Sequence, residues 1–417
     1  MAILEISGGI PLKGTVTISG AKNEALKVIA FAVSLKSKIT VENVPDISDI
    51  KSQLMIFEKL GGKYEFENNT LVLDSSEIGS YIVDREIGCK LRASIVYMGP
   101  LLTRFSKAEI PFPGGCVIGA RPIDTHLDAF KQLGAQIEET DQYVKISLDN
   151  LTADVVNLSE QSVSATENIL LFASAVDSEI LINNCAIEPE IVDLIKKLNS
   201  AGAQITQVEE RSFKVRGKKS LSLEKCQIIS DRIEAGSYLV AFLATGGEGK
   251  ILNFPHEQLG SFLDVLKSAG ASFVVENSSL TVGQSNELKP FEISTAPYPG
   301  FPTDLQSPMS LIASLAIGRS TINELMFENR LGYIEELKKM GLSAEIVDKH
   351  KAYIDGPSKL SPTEIESLDL RSGMTIVIAA LMASGTSKIM KAELIDRGYE
   401  KIVEKLSGLG ARIVRHD

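Results

Sequence analysis

The sequence predicts an α/β protein in which one unit of about 70 residues, alternating helices and strands, occurs six times, three copies to a domain. Three observations lead there. Six amphipathic segments end in a short apolar–glycine–strand signature, with the glycines at Gly61, Gly134, Gly202, Gly270, Gly341 and Gly410. Their spacings are 73, 68, 68, 71 and 69 residues. A glycine at that place can adopt the left-handed conformation that stops a helix, and six at nearly one period are not a chance pattern. Second, each period holds another run that is apolar on almost every face: 25–35, 93–102, 169–176, 236–243, 309–317 and 374–382. Helices of that kind are buried, whereas those ending in glycine should lie outside. Third, the last unit stops just after its strand at 411–414, and residues 3–20 resemble the pieces it lacks.

The remaining elements follow from the same pattern. Runs at 38–41, 70–73, 143–146, 213–215 and 353–354 are apolar and β-branched with turn residues at their ends, as strands are. The unit therefore reads helix, strand, helix, strand, strand, strand. Ile6-Ser7-Gly8-Gly9-Ile10-Pro11-Leu12-Lys13 matches Ile354-Asp355-Gly356-Pro357-Ser358-Lys359-Leu360, so the N-terminus is expected to complete the sixth unit. That implies one domain over residues 21–229 and another over 230–417 together with 1–20. The chain crosses twice between them, an arrangement that permits hinging around a ligand cleft.

Composition narrows the function. With 44% hydrophobic and 23% charged residues the chain has the make-up of a soluble globular protein. No apolar run reaches the roughly 20 residues of a membrane span, and the N-terminus lacks the features of a signal peptide, so a cytoplasmic protein without a membrane partner is expected. The net charge of −11 argues against a nucleic-acid partner. Functional arginines should then be gathered locally. Cys89, Cys116, Cys185 and Cys226 are far apart and do not combine with the histidines at metal-ligand intervals, which gives no support to a disulfide framework or a zinc site. Neither a dinucleotide fingerprint nor a Walker loop is present.

Chemistry gathers first at residues 111–126, where Cys116 follows Gly114 and Gly115, with Gly119 and Arg121 beyond. A thiol in a glycine-rich loop with a nearby cation is a candidate reactive group, against the ordinary alternative of a small buried hydrophobe. The starts of the buried helices are the second place. They carry Lys22 and Asn23, Arg92, Thr166 with Glu167 and Asn168, Asp231 and Arg232, Asp304, and Asp369 with Arg371. Helix N-termini bind anions. The acids there can equally be caps, Arg232 and Arg330 can be structural ion pairs, and Lys22 a solvated charge. Arginine at a helix start opposes the macrodipole unless an anion is present, which singles out Arg92 and Arg371. The proline-rich segment 297–304 should hold Asp304 in place, and Phe327-Glu328-Asn329-Arg330 and Ile395-Asp396-Arg397-Gly398-Tyr399 each put an arginine at a turn.

These motifs resemble the enolpyruvyl transferase family. Ser19-Gly20-Ala21-Lys22-Asn23, Leu91-Arg92-Ala93-Ser94, Pro113-Gly114-Gly115-Cys116, Ile118-Gly119-Ala120-Arg121-Pro122, Glu188-Pro189-Glu190-Ile191, Asp231-Arg232-Ile233-Glu234, Phe301-Pro302-Thr303-Asp304 and Asp396-Arg397-Gly398-Tyr399 occur in family order from end to end. The cysteine loop separates this branch from the shikimate-pathway synthase. The resemblance implies two inside-out α/β barrel-like domains of three βαβαββ-type units each. It implies transfer of the enolpyruvyl group of phosphoenolpyruvate to the 3′-hydroxyl of UDP-N-acetylglucosamine, at the opening of peptidoglycan synthesis, without metal or organic cofactor. By the same resemblance Cys116 protonates the vinyl carbon and Asp304 takes the hydroxyl proton. Lys22, Arg92, Arg121, Arg371 and Arg397 form the cationic set, with Arg330 in its matching motif. Asn23, Arg121, Pro122, Ile123, Asp124, Thr125, Ser162, Val163, Asp304 and Phe327 fall where the family holds the UDP-sugar. The chain departs from the family pattern at Ser164, where glycine is usual, at Thr125, where leucine is common, at Ile187, where a basic residue is common, and at Gly332-Tyr333, where a histidine often stands. A different acceptor, or a weakly active paralogue that binds UDP-sugar, are the alternatives to this reading.

Overall fold

The computed structural model describes residues 2–112, 114 and 122–417; Cys116 and Arg121 lie outside them. The described residues form two compact units, one of residues 20–112, 114 and 122–229, the other of residues 2–19 and 230–417. Each has its own apolar core. At the start of the first of these units a Cβ at Gly20 would lie 1.7 Å from the Asn43 carbonyl oxygen, so only glycine lets the two backbones meet there.

The 20–229 unit contains α1 (Lys22–Leu35), α2 (Ser48–Lys59), the single turn α3 (Arg85–Gly88), α4 (Met98–Phe105), α5 (Asp124–Gln132), α6 (Val163–Ser174) and α7 (Pro189–Ser200). A 3-10 stretch, Arg92–Tyr97, leads into α4. α1 is buried at every residue but Asn23, and α6 at every residue beyond its first two, as helices apolar all round must be. α2, α5 and α7 bury one face only. Three sheets complete the unit, with strand orders Lys225–Gln227, Lys38–Glu42, Thr70–Asp74, Lys63–Glu67; Lys107–Pro111, Tyr143–Ser147, Gln136–Glu139; and Gln204–Glu209, Ser212–Arg216, Glu179–Asn183, Val155–Asn157. In each, three antiparallel strands come from one repeat. A short parallel strand comes from another repeat: Val155–Asn157, from the repeat before, lies beside Glu179–Asn183, and Lys225–Gln227, at the end of the third repeat, returns to lie beside Lys38–Glu42 of the first. In the middle sheet this fourth strand shrinks to a parallel bridge between Ile82 and Glu109.

The other unit repeats the plan with α8 (Arg232–Ala244), α9 (Gly260–Ser268), α10 (Gln306–Leu315), α11 (Tyr333–Lys339), α12 (Leu370–Met382) and α13 (Ile402–Gly408). α8, α10 and α12 pack on one another and are almost wholly buried. The N-terminus enters two of its sheets. Ile3–Gly8 pairs antiparallel with both Gly385–Met390 and Arg412–His416, closing the sixth repeat's sheet. Lys13–Thr17 then runs parallel to Glu248–Leu252, as the strand handed on to the fourth repeat. Chain ends that are hydrogen-bonded into two sheets are held by the same ladders as the interior strands.

All six periodic glycines have positive φ, at 104°, 98°, 113°, 93°, 102° and 88° in chain order. The buried helices begin earlier than their apolar runs suggest, α6 at Val163 and α8 at Arg232, because their first turns carry polar residues that are nonetheless buried. A second set of glycines seats the strands on these helices. A Cβ at Gly8, Gly217 or Gly356 would lie 2.0, 2.0 or 2.2 Å from the carbonyl oxygen of Ala380, Ala173 or Ala316, at the C-terminal ends of α12, α6 and α10. Gly356→Ala should accordingly lower the unfolding temperature clearly, at a cost of about 1–3 kcal/mol for forced overpacking. Gly408→Ala, where nothing lies within 4 Å of the new Cβ, should stay within about 1 kcal/mol of the parent. Equal melting temperatures for the two variants would contradict this account of the glycines.

Candidate active site

In the 20–229 unit the candidate residues collect at the starts of α1, α5 and α6 and at the 3-10 turn of Arg92. Lys22 is buried and its Nζ donates to Asp49 Oδ2 at 2.8 Å. Lys22 is thus not the solvated charge that sequence allowed. Asn23 is half-buried, and its carbonyl accepts from Lys27 Nζ. Arg92 Nη2 donates to the Pro122 carbonyl at 3.1 Å, which brings two expected ligand-binding positions together. Ile123 is buried and its carbonyl accepts the first amides of α5, while Pro122 and Asp124 are exposed. Thr125 is buried; its hydroxyl lies 3.0 Å from Ser159 Oγ and donates to Glu160 Oε1 at 3.2 Å. Ser162 caps α6 by accepting from the Ala165 amide, with Val163 next to it at the first helical position.

The polar group at the start of α6 has structural work, which the sequence left open. Thr166 Oγ1 accepts from the Ala186 amide, and Glu167 Oε2 lies 3.1 Å from Lys27 Nζ on α1. Asn168 accepts from the Gly99 amide and donates to the Ile95 carbonyl and to His126 Nδ1. His126 Nε2 in turn lies 2.9 Å from Ser164 Oγ. Burial, with Arg92 adding its charge, pushes His126 down to about 3, so the imidazole is neutral. Burial pushes Glu167 up to about 7 against the pull of Lys27.

In the other unit Asp231 and Asp369 are helix caps. Asp231 accepts from the Ile233 and Glu234 amides, and Asp369 forms a capping box with Ser372. Asp304 is different. Its Oδ1 accepts from Arg330 Nη2 and its Oδ2 from Arg371 Nε, the latter at 3.0 Å. Both arginines are buried. Burial alone would lower them, but Asp304 outweighs it and both are raised, so both stay charged. The anion expected beside Arg371 is therefore supplied in part by the protein itself. Arg330 Nη1 also donates to Thr303 Oγ1, and its guanidinium lies 5.4 Å from the centre of the Phe327 ring. Arg371 faces the Tyr399 ring at 5.6 Å, and the Tyr399 hydroxyl lies 2.8 Å from Ser237 Oγ. Arg397 ends the 3-10 turn Ala392–Arg397 and is half-buried. Its neighbour Asp396 is gripped by Arg415 through two bonds of 2.9 and 2.8 Å.

Sequence reasoning missed Asp49, His126 and Arg415 as supports of this set. Only His126 carried a signal, as the last residue of the cysteine-loop stretch. Cys116 and Arg121 lie outside the described residues, but Gly114 shows how the loop starts: a Cβ there would be 2.0 Å from the Cys89 carbonyl oxygen. Among the described residues no cluster of histidine, cysteine and carboxylate side chains is arranged to hold a metal ion, and no helix is long and apolar enough to cross a membrane.

The family model for EPSP synthase (3-phosphoshikimate 1-carboxyvinyltransferase) matches residues 6–406. The chain is 40% identical to UDP-N-acetylglucosamine 1-carboxyvinyltransferase 3 of Caldanaerobacter subterraneus over 98% of both chains. It is likewise 40% identical to UDP-N-acetylglucosamine 1-carboxyvinyltransferase 2 of Carboxydothermus hydrogenoformans over 98% of both. Among solved structures, the enolpyruvyl transferase NikO from Streptomyces tendae superposes with a TM-score of 0.90 at 24% identity, over 99% of this chain and 98% of that one. The fold is thus that of the enolpyruvyl transferases.

Two outcomes follow from the charges. Asp304→Ala leaves two buried arginines without their carboxylate, a change that costs about 3–5 kcal/mol. Inorganic phosphate should raise the melting temperature of that variant more than that of the parent; equal responses would refute anion deficiency as the cause. For Glu167, whose folded value is raised from 4.5 to about 7, the stabilising contribution is present below 4.5 and lost as pH rises through 7. Glu167→Gln should therefore gain stability relative to the parent between pH 4.5 and 7.5, and a difference independent of pH would contradict the assignment.

Proposed function

We propose that this chain, which belongs to the EPSP synthase family of enolpyruvyl transferases, transfers the enolpyruvyl group of phosphoenolpyruvate to the 3′-hydroxyl of UDP-N-acetylglucosamine and releases phosphate. The observation that carries this is the 40% identity, along practically the whole chain, to relatives named for that reaction. The two compact units are taken as its two three-repeat domains.

The chemistry is an addition followed by an elimination. Cys116 gives a proton to the vinyl C3 of phosphoenolpyruvate, and the positive charge that develops at C2 accepts the 3′-oxygen of the sugar. Asp304 takes the proton that this oxygen sheds. The tetrahedral adduct then loses a proton from its new methyl group, and the electron pair of that C–H bond re-forms the vinyl group as the C2–O bond to phosphate breaks. Lys22, Arg92, Arg121, Arg371 and Arg397 are assigned to the phosphate and carboxylate of phosphoenolpyruvate, where guanidinium forks suit both groups. Asn23, Arg121, Pro122, Ile123, Asp124, Thr125, Ser162, Val163, Phe327 and Arg330 are assigned to the nucleotide sugar. The buried pairing of Asp304 with Arg330 and Arg371 supports a role in which the carboxylate is held in one orientation. On this reading the product opens peptidoglycan synthesis, and the enzyme works in the cytoplasm, in cell-wall formation.

Phosphate release from phosphoenolpyruvate should depend on UDP-N-acetylglucosamine and not on shikimate 3-phosphate. Cys116→Ser should lose turnover, by at least about a hundredfold for a missing general acid, while still being stabilised against heat by UDP-N-acetylglucosamine. Release with shikimate 3-phosphate alone would overturn the acceptor, and an unimpaired serine variant would remove Cys116 from the acid role.

A further inference from the structure

The hydrogen-bond chain Gly99–Asn168–His126–Ser164 has a direction that can be worked out atom by atom. The Gly99 amide can only donate, and it lies 2.7 Å from Asn168 Oδ1, so that atom is the amide oxygen. Asn168 Nδ2 must then donate, to the Ile95 carbonyl at 3.0 Å and to His126 Nδ1 at 3.1 Å. Nδ1 is an acceptor, and the neutral ring therefore carries its proton on Nε2. That N–H donates to Ser164 Oγ at 2.9 Å. The serine oxygen is held as an acceptor, so its own O–H points elsewhere than at the ring and is available to a further acceptor.

Ser164 is half-buried, in the first turn of α6 directly after Val163, and its partner His126 directly follows Thr125. One hydrogen bond thus ties together the two stretches assigned above to the nucleotide sugar. We propose that Ser164 is a specificity-determining residue for the acceptor, donating its hydroxyl proton to an oxygen of the nucleotide sugar, and that His126 is the positioning residue that aims it. This rests on the acceptor reading of the preceding section and deepens it. Arg92, whose charge acts on the same histidine, donates to the Pro122 carbonyl, another of the positions assigned to the nucleotide sugar.

The test separates binding from turnover. In calorimetry with UDP-N-acetylglucosamine alone, Ser164→Ala should bind about fivefold more weakly, the loss expected for one hydrogen bond. Ser164→Thr, which keeps the hydroxyl, should recover most of that affinity. In steady state, Ser164→Ala should raise KM for UDP-N-acetylglucosamine while kcat and KM for phosphoenolpyruvate stay at parental values. His126→Gln should raise the same KM, and the double variant should be no worse than the poorer single one. Unchanged affinity in Ser164→Ala, or equal increases in both KM values, would overturn the proposal, as would a parent enzyme that does not bind UDP-N-acetylglucosamine. Phosphate release with a different acceptor in the parent would instead refute the acceptor reading, so the two failures are told apart.

Discussion

A helix that is apolar on every face can exist in water only if it is enclosed on every face, and this chain carries six such segments, three in each unit. The demand shapes everything else. A single amphipathic sheet covers one side of a helix; three sheets and three amphipathic helices per unit are needed to cover a trio. Each sheet takes a parallel strand or bridge from outside its own repeat, so no repeat is a closed object alone, and the sixth is completed only by the N-terminal strand Ile3–Gly8. Contact is close enough that Gly8, Gly217 and Gly356 have no room for a Cβ against the helix ends.

Enclosing the helices leaves their ends as the places where polar groups can be kept, and the charges there are balanced rather than idle. A buried charge without a partner is far costlier than the same charge paired. Lys22 has Asp49, Lys27 has Glu167, and Arg330 and Arg371 share Asp304. Such pairing keeps cations charged in a buried setting, which is what recognition of phosphate and carboxylate requires. It also makes Asp304 a residue with two duties, one for stability and one for the proposed proton transfer.

The repeat was legible because its period is long, its glycines recur, and glycine is the residue that adopts the left-handed stop of all six at no steric cost. The swap of N-terminal strands into the last repeat was legible for the same reason: Ile6-Ser7-Gly8 copies Ile354-Asp355-Gly356. Helix starts were placed late, since Thr166, Glu167 and Asn168 read as polar in sequence yet are buried by cross-ties to Ala186, Lys27 and Gly99. No sequence pattern announces such partners. Arg371 meets Asp304 across 67 residues, and Lys22 meets Asp49 across 27. The Ser164–His126 bond joins residues 38 apart, and only the geometry of Asn168 gives it a direction. The candidate residues were thus named from sequence, whereas their charge balance and hydrogen-bond polarity were not readable there.

The addition–elimination at the centre of this account leaves a mark on its product. If C3 of phosphoenolpyruvate becomes a methyl group before the vinyl group is re-formed, turnover in heavy water must place deuterium in the product's vinyl methylene. Nuclear magnetic resonance of the product formed from UDP-N-acetylglucosamine in deuterium oxide reads both points in one spectrum. The account predicts a carboxyvinyl ether on the sugar's 3-oxygen with deuterium at the methylene. A product bonded elsewhere, or a methylene free of deuterium, would contradict it.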